Sequence, residues 1–377
     1  MKKVDSCQRP VFREKLSVKS KITLFFIFLF PFFLSHHTHA DSKPDAGPPF
    51  VAAWWCRGAH SQTILGNLWR ENPEITYRRE RLELPDGDFL DLDWVDGDPR
   101  APLVVILHGL GGSSNSSYVL TLLDEARQKG WRAVVMNARG MSGEPNRLKV
   151  TSHSGQSEDL EATMQKLLAD PNNHTLYLAG YSRGGNVLLK WLGEKGANVP
   201  TAVKKAVAVS VPYDLVLTTS RLYRGFNRAV CTRWMLRPLK AYALHKAVQF
   251  PGSLDTATIQ QADTFQAFDD HVTAPLNGFD NAHEYWRSVS SALFLDKIRT
   301  PVLLIHADND PLLPAALLPQ DVIRASPFLT LLITRDGGHL GFLAGRFPWQ
   351  QERWLEGRIL DFFAAEAPVA PVPLPAR

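Results

Sequence analysis

The sequence predicts an α/β fold in which helices cover both faces of a doubly wound, mostly parallel sheet. Apolar runs of strand length alternate with segments of helical periodicity along most of the chain. One of these runs, Leu103–Leu107, is wholly aliphatic, which is typical of a strand buried on both faces of a parallel sheet. Because strands joined by helix-length connections form such sheets, the two observations together indicate this class.

The predicted elements follow a regular order from residue 76 onwards. Turn-forming residues at positions 85–88 separate two alternating segments and predict an opening hairpin. The predicted strands are residues 76–84, 89–95, 103–107, 131–137, 175–179, 204–211, 302–307 and 329–334. The predicted helices are residues 116–129, 157–169, 183–194 and 349–365.

Composition excludes several classes of protein. The chain has 377 residues, of which 45% are hydrophobic and 21% are charged, and these fractions exclude a disordered or collagen-like chain. Three cysteines are too few for a disulfide scaffold. Cys56 and Cys231 are expected to be unpaired thiols, although pairing of the two in an exported protein stays open.

The net charge of +4 gives no indication of nucleic-acid binding. Residues 1–40 hold seven cations and two acids, a net of +5, which leaves −1 for the rest of the chain. A body that is nearly neutral does not have the basic surface on which nucleic-acid recognition depends. We therefore predict no nucleic-acid partner.

The N-terminal residues have the pattern of a targeting segment. A basic stretch is followed by a 13-residue apolar run from Ile22 to Leu34 and then by the small residue Ala40. This order predicts a secretory signal peptide over residues 1–40, cleaved after Ala40, and an exported or periplasmic protein. An uncleaved membrane anchor is an alternative, although a spanning helix needs ~20 apolar residues. A spurious leader on a cytoplasmic protein is another.

One connection departs from the alternation of strands and helices. Between the predicted strands 204–211 and 302–307 lie helical stretches and no strand. So long an excursion between neighbouring strands is usually a lid over a site. We therefore expect one domain over residues 41–366, with a helical lid at about 212–298 inserted before the strand 302–307, and a flexible tail at 367–377.

A Gly-x-Ser-x-Gly sequence, Gly180 to Gly184, follows a predicted strand and opens a predicted helix. This is the context of a nucleophile elbow, in which a serine is exposed on a sharp turn between the two elements. Glycines on either side of Ser182 avoid collisions between the strained turn and its neighbours. The motif alone is also compatible with an ordinary strand-to-helix turn.

Two later loops contain the base and the acid that a serine hydroxyl needs to become a nucleophile. Asp308 and Asp310 follow one predicted strand, and His339 follows the last. Open α/β sheets place their sites beyond the carboxyl ends of strands, and the order Ser182, Asp310, His339 is that of α/β-hydrolases. Asp310 is favoured over Asp308 because it directly precedes Pro311, whereas Asp308 suits a turn-stabilising role.

A glycine-rich loop, His108 to Gly112, follows the aliphatic strand. The tetrahedral intermediate of acyl transfer needs two backbone N–H donors, one from the residue after the nucleophile and one from this first loop. We expect the amides of Arg183 and Leu110 to form this oxyanion hole. The glycine spacing does not match a dinucleotide-binding loop, and no Cys/His cluster has metal-ligand spacing. No cofactor and no metal are predicted.

These motifs resemble the YheT-like branch of the α/β-hydrolases, a group of esterases and lipases, over nearly all of residues 58–365. The segments that carry the resemblance are residues 57–63, 108–112, 139–146, 180–186, 269–270, 278–279 and 284–310. Trp286 stands where the family usually has tyrosine, and Arg183 where an apolar residue is common. We expect both differences to alter the acyl pocket and neither to affect the triad. Residues 139–146 are interpreted as a structural turn.

The predicted lid contains a basic amphipathic segment over residues 215–254 with no acidic residue. Its seven cations are Arg221, Arg224, Arg228, Arg233, Arg237, Lys240 and Lys246. Apolar and aromatic residues lie between them, a pattern that fits an anionic lipid surface or an acidic substrate. The simpler interpretation is a solvated lid face, so any contact with a membrane surface is expected to be weak.

The resemblance implies a carboxylic ester hydrolase that acts on short- to medium-chain acyl esters or on lipid esters. In this hypothesis Ser182 attacks the acyl carbonyl, His339 is general base and then general acid, and Asp310 orients His339. An alcohol acyltransferase with the same triad, or a non-catalytic lipid-binding relative, are the alternatives. Acyl length, head group and oligomeric state are not predicted.

Overall fold

The structure is a computed structural model that describes residues 48–223 and 225–366. The predicted leader at 1–40 and the predicted tail at 367–377 lie outside the described residues, as does Arg224 of the predicted lid. Within the part that is described, no helix combines the length and the apolarity that a membrane crossing requires.

An eight-stranded sheet with the order β1-β2-β4-β3-β5-β6-β7-β8 forms the centre of the molecule. The first two strands pair antiparallel, β2 pairs antiparallel with β4, and the remaining pairs are parallel. The strands are β1 Arg78–Glu83, β2 Phe89–Val95, β3 Leu103–Leu107, β4 Arg132–Asn137, β5 Leu176–Tyr181, β6 Val203–Val209, β7 Val302–Ala307 and β8 Leu329–Thr334. The predicted fold class is confirmed.

Helices on both faces of the sheet explain why β3 is wholly aliphatic. The helices outside the predicted lid are α1 Ala59–Leu68, α2 Ser117–Gln128, α3 Ser157–Leu168, α4 Arg183–Lys195, α11 Gln320–Ala325 and α12 Trp354–Ala364. Leu103, Val105 and Leu107 pack in one apolar cluster with residues of α3 and α4. Val104 and Ile106 pack in a second cluster with residues of α2 and α12. Successive side chains of a strand point to opposite faces, so β3 must be apolar at every position.

Two parts of the chain differ from the sequence prediction. The closing helix begins at Trp354 and not at residue 349, because residues 344–352 form a small hairpin of β9 Ala344–Phe347 and β10 Gln350–Glu352. Stacking of Phe347 on Trp349, with ring centroids 5.2 Å apart, accompanies this hairpin. Helix α1 was not predicted. Its sequence contains a glycine and is weakly amphipathic, and tertiary contacts override such local signals.

The long connection between β6 and β7 is helical, and residues 212–298 are called the insertion from here on. Its helices are α5 Leu215–Leu222, α6 Arg233–Gln249, α7 Thr256–Gln261, α8 Phe265–Phe268, α9 Ala274–Leu276 and α10 Ala282–Val289, with π-helical turns at Asn227–Thr232 and Asp269–Thr273. The insertion has its own apolar core, which includes Leu236 and Trp286 and reaches Leu312 and Leu313 after β7. It therefore packs directly on the loop that carries the candidate acid.

One cation of the predicted basic segment does not face solvent. Lys246 is only 1% exposed, and its ammonium group donates hydrogen bonds to the backbone carbonyls of Asn146 and Leu148 at 2.7 and 2.6 Å. Burial lowers the pKa of Lys246 to about 8. Lys246 therefore joins α6 to the loop after β4 and contributes nothing to a charged outer face.

Arg139 cross-links three parts of the fold. Its guanidinium group donates to Asp159 of α3 at 2.7 Å and to Asp86 and Asp88 of the first hairpin at 2.6 and 3.2 Å. Arg139, Asp88 and Asp159 are all buried. Burial raises the pKa of Asp159 despite the neighbouring arginine. This network gives the turn at 139–146 a structural task.

We predict that Arg139→Ala lowers the free energy of unfolding by about 3–5 kcal/mol, because it leaves buried carboxylates without their cation. Arg78→Ala is the matched control, since Arg78 forms an exposed pair with Asp96 and should cost less than about 1 kcal/mol. Urea denaturation of both variants measures the difference. Equal small losses would show that the network does not stabilise the fold.

Candidate active site

Ser182 occupies a strained turn between β5 and α4. Its φ and ψ are 49° and −117°, a region that L-residues rarely adopt and that the surrounding structure must enforce. Glycines make the turn sterically feasible. A Cβ atom on Gly180 would lie 2.7 Å from the Cα of Gly185, and one on Gly184 would overlap the carbonyl oxygen of Leu107. The strand–turn–helix geometry predicted for this motif is therefore present.

Ser182, His339 and Asp310 form a continuous hydrogen-bonded line. The Nε2 atom of His339 lies 3.0 Å from Ser182 Oγ, and its Nδ1 atom lies 2.8 Å from Asp310 Oδ2. The other carboxylate oxygen of Asp310 accepts from the amides of Leu312 and Leu313 at 2.9 and 3.0 Å. The structure thus brings together all three residues that the sequence singled out.

The environment of Asp310 favours the ionised carboxylate. Burial by itself would raise the pKa of Asp310, but the charge and hydrogen bond of His339 and the Leu313 amide lower it below its ordinary value. An ionised Asp310 accepts a hydrogen bond from the Nδ1–H group of His339, which favours the tautomer with the proton on Nδ1. In that tautomer Nε2 is free to accept a proton from Ser182. The arrangement can therefore activate a serine hydroxyl.

Asp308 lies apart from this line. Its side chain is exposed, and among the described residues its carboxylate makes no hydrogen bond, so the turn-stabilising role expected for it is not seen. Asn309, between the two acids, makes a longer-range link. Its side chain donates to Asp336 at 3.0 Å and accepts from the amide of Gly338 at 2.9 Å, which joins the acid loop to the histidine loop.

The predicted oxyanion loop lies against the serine turn. A Cβ atom on Gly109 would be 3.5 Å from the Cβ of Ser182, and Leu110 lines the same cavity as Ser182 and His339. Arg183 is the first residue of α4, and amides in the first turn of a helix have no partner within the helix. Both predicted donor positions are therefore beside the serine.

His108 stiffens this loop, a task that the sequence did not suggest. Its Nε2 atom accepts from the amide of Ala138 at 3.1 Å, so its Nδ1 atom carries the proton and donates to the carbonyl of Gly109 at 2.8 Å. Burial lowers the pKa of His108 to about 3. The ring is therefore neutral at neutral pH, in keeping with this hydrogen-bond pattern.

The cavity in front of Ser182 and His339 has a volume of about 120 Å³. Loops of the sheet form part of its wall, and the insertion supplies apolar residues such as Leu215, Leu239 and Phe268. For comparison, an engineered apolar cavity of about 150 Å³ binds benzene. The enclosed space therefore suits a short apolar group, and a longer one would have to leave through the opening.

The two departures from the family pattern have different consequences. Trp286 lines the cavity, and its indole N–H donates to Asp269 at 2.8 Å. The carboxyl of Asp269 also accepts from the Thr273 hydroxyl at 2.6 Å, and burial raises its pKa to about 6. The side chain of Arg183 does not line the cavity itself, but it is buried and donates to the carbonyl of His153, a lining residue, at 3.0 Å. The expected effect of Arg183 on the pocket therefore stays a prediction and would act through His153.

Helix α1 holds the loop that carries His339, and the sequence did not assign a role to this helix. Thr63 Oγ1 accepts from the amide of His339 at 2.9 Å, and the side chain of Gln62 bonds both backbone groups of Leu343. The segment 57–63 contributed to the family resemblance. That resemblance was the one available signal, because these partners lie more than 270 residues apart in the chain.

Neither the cysteines nor the acidic side chains provide a metal centre among the described residues. Cys56 and Cys231 are buried free thiols. No group of three or more His, Cys, Asp or Glu side chains at 48–223 and 225–366 is placed to hold a metal ion.

Comparison with known proteins is consistent with this geometry. A family model described as alpha/beta hydrolase fold matches residues 102–345. The chain is 38% identical to the Escherichia coli protein named "Putative esterase YheT" over 80% of this chain and 89% of that protein. It is 29% identical to mouse phospholipase ABHD3 over 82% and 77% of the two chains. The family resemblance inferred from the motifs is confirmed.

A solved structure has the same fold. An esterase from Pyrococcus furiosus superposes with a TM-score of 0.51, at 18% identity, over 85% of this chain and 98% of that one. At this level of identity the likeness concerns the fold alone.

We predict that Asp310→Asn slows covalent labelling of Ser182 by a fluorophosphonate by roughly 10⁴-fold, the loss typical when a triad carboxylate becomes an amide. Asp308→Asn should label at a rate within about threefold of the unmodified chain, since its carboxylate is exposed and contacts no triad member. Time-resolved mass spectrometry measures both rates. The reverse ranking would transfer the role of acid to Asp308.

Proposed function

Because the chain belongs to the α/β-hydrolase family, we propose that it is a serine carboxylic ester hydrolase whose reacting residues are Ser182, His339 and Asp310. One observation carries the proposal. The hydrogen-bonded line from Asp310 through His339 to Ser182 ends at the wall of a largely apolar cavity. A serine activated in this way, with two backbone amides beside it, is equipped for acyl transfer.

The proposed acylation step uses every part of this site. Ser182 Oγ forms a bond to the acyl carbon while its proton moves to Nε2 of His339, and the carbonyl electron pair moves to the oxygen. The amides of Leu110 and Arg183 hold this oxyanion, and one such donor typically contributes about 3 kcal/mol in the transition state. Nε2 of His339 then protonates the departing alkoxide as the carbon–oxygen bond breaks, which leaves an acyl-enzyme.

Deacylation repeats the sequence with water as the nucleophile. His339 takes a proton from the water as its oxygen attacks the acyl carbon, and returns that proton to Ser182 Oγ as the acid is released. Throughout the cycle Asp310 keeps the ring of His339 in one orientation and stabilises the imidazolium that forms in each half-reaction.

The cavity supports an ester with a short- to medium-chain acyl group as the substrate. Its apolar wall favours an aliphatic chain, and its volume of about 120 Å³ encloses a small part of one. Related chains are named esterase, phospholipase and monoacylglycerol lipase, so lipid esters are part of the proposed substrate class. Product analysis with an added alcohol distinguishes hydrolysis from acyl transfer by the same triad.

We predict that Ser182→Ala and His339→Ala each reduce kcat for a short-chain p-nitrophenyl ester by at least about 10⁴-fold, because triad members act as a unit. Thermal unfolding should stay within a few degrees of that of the unmodified chain, since neither substitution removes apolar burial. A p-nitrophenyl ester assay and calorimetry are the measurements. Activity retained within tenfold by either variant would contradict the mechanism.

Export of the protein stays a proposal that rests on the sequence pattern of residues 1–40. Cleavage after Ala40 places Asp41 at the N-terminus of the mature protein. N-terminal sequencing of the protein from an exporting bacterial host is the test, and Met1 intact on membrane-bound protein would favour an anchor instead.

We also propose a weak contact between the insertion and an anionic membrane surface. Large apolar side chains are exposed on its outer side, among them Leu217, Phe226 and Trp234, the last of which is 58% exposed. Exposed cations on the same segment form no ion pair among the described residues, and these are Arg221, Arg233 and Arg237. Exposed apolar groups mixed with unpaired cations are typical of segments that lie on lipid surfaces.

The position of this surface beside the cavity supports the proposal. On α6, Met235 and Leu239 line the cavity, whereas Trp234 is exposed to solvent. A Cβ atom on Gly111 would lie 3.7 Å from Pro238 of the same helix, so α6 borders the oxyanion loop. A lipid that meets the outer side of α6 is therefore close to the opening that leads to Ser182.

We predict that the chain without residues 1–40 binds vesicles of phosphatidylglycerol and phosphatidylcholine, and releases them at a few hundred millimolar salt. Combined Arg221→Gln, Arg233→Gln and Arg237→Gln should weaken the binding by up to about 100-fold, since each cation near an anionic surface contributes about 1 kcal/mol. Glutamine at three exposed arginines elsewhere, Arg100, Arg299 and Arg324, is the control. Binding that salt does not reduce would show that apolar contact dominates.

A further inference from the structure

Helix α1 and the histidine loop, defined as residues 336–343, are joined by a hydrogen bond at the candidate base itself. The amide of His339 donates to Thr63 Oγ1 at 2.9 Å, and the Thr63 hydroxyl donates in turn to the carbonyl of Ala59 at 2.8 Å. Thr63 is 5% exposed. Its hydroxyl therefore has a fixed orientation, with its proton directed to the helix and a lone pair directed to His339.

Gln62 holds the other end of the histidine loop. Its side-chain oxygen accepts from the amide of Leu343 at 2.7 Å, and its side-chain nitrogen donates to the carbonyls of Leu343 and Cys56 at 3.0 and 2.6 Å. Gln62 is fully buried. The side-chain amide of Gln62 thus pairs with both the N–H and the C=O group of Leu343, as the backbone of a neighbouring strand would.

The helix and the loop are close enough that no side chain fits between them. A Cβ atom on Gly338, which has a φ of 58°, would lie 2.7 Å from Thr63 Oγ1. A Cβ atom on Gly66 would lie 2.5 Å from the Cα of Gly341. The loop therefore rests on the helix by backbone contact, and a shift of the helix must move His339.

We infer that Thr63 and Gln62 are positioning residues for His339 and that α1 is a functional part of the active site. The inference rests on the proposed function. Asp310 and Ser182 hold only the imidazole ring, whereas Thr63 holds the backbone from which the ring extends. A displacement of 1 Å at a reacting group can cost about 10²-fold in rate. The family model begins at residue 102 and does not include this helix.

The test compares Thr63→Val, which removes the hydroxyl at nearly constant volume, with Thr63→Ser, which keeps it. Thr163→Val is the matched control, because Thr163 is also buried and also donates to the carbonyl four residues earlier, at 2.9 Å, but lies on α3. We expect Thr63→Val to lower kcat 10- to 100-fold with KM within about twofold. Thr63→Ser should retain at least about half of kcat, and Thr163→Val should be unchanged in both constants.

Melting temperature separates positioning from stability. Thr63→Val removes two buried hydrogen bonds and Thr163→Val removes one. Both variants should therefore lose some stability, Thr63→Val by about 1 kcal/mol more. A loss of kcat shared by the two variants, or a Thr63→Val enzyme with unchanged kcat, would overturn the inference.

A readout without catalysis keeps this test independent of the proposed function. Hydrogen exchange measured by mass spectrometry on peptides covering residues 336–343 should be faster in Thr63→Val than in Thr63→Ser or Thr163→Val. Unchanged exchange in Thr63→Val would overturn the inference even if the esterase mechanism holds. Failure of the unmodified chain to react with a fluorophosphonate would instead contradict the proposed function, whatever the exchange result.

Discussion

The strained turn at Ser182 is the constraint on which the rest of the site depends. A serine with a φ of 49° persists only where its neighbours leave it no other conformation. Here the last four residues of β5 before the turn are all buried, and α4 leaves the turn through two glycines packed against β3 and β6. The strain is therefore borne by the centre of the sheet. The same packing exposes the serine oxygen at the carboxyl edge, where the loops after β3, β7 and β8 can reach it.

The oxyanion loop, Asp310 and His339 surround Ser182, and different contacts hold each of them in place. The oxyanion loop is stiffened by a neutral buried histidine, His108, and the acid by two backbone amides beside it. The contacts of the acid are local to its loop, whereas His108 also accepts a hydrogen bond from Ala138 in the loop after β4. The histidine loop has one backbone hydrogen bond of its own, from the Phe342 amide to the Gly337 carbonyl, and Asn309 joins it to the acid loop. The backbone amide of His339 itself, however, is bonded to Thr63 and not to a residue of either loop. The base therefore depends on α1, a helix at the opposite end of the chain.

The difference between local contacts and contacts with distant parts of the chain explains what the sequence could predict. The bounds of β3, β7 and β8 were predicted to the residue, because each is a largely apolar run between loops. Of the three, only β3 is both wholly aliphatic and buried on both faces, whereas β7 contains His306 and β8 contains two threonines. Ser182, Asp310 and His339 could be singled out as candidates because each follows a predicted strand and their order has a chemical meaning, and the structure brings the three side chains together. Helix α1, the burial of Lys246 and the hairpin at 344–352 could not be found in this way. Each depends on partners that are distant in the chain and leave no periodic pattern.

The insertion adds a second layer whose packing is largely independent of the triad. Most of its apolar side chains pack in a cluster of their own, which reaches Leu312 and Leu313. The insertion is also joined to the sheet domain through the loop held by Lys246 and through the side chain of Asn186 in α4, which bonds Val289 and Ser291. Substitutions inside the cavity wall can therefore change which acyl group fits without changing the hydrogen bonds of Ser182. Trp286 illustrates this. Its ring lines the cavity, and its indole N–H donates to Asp269 and not to Ser182, His339 or Asp310. In the proposed mechanism, substrate choice and bond-breaking thus belong to separate layers of one fold, and the two layers meet at the loop of Leu312 and Leu313, whose amides also bond Asp310.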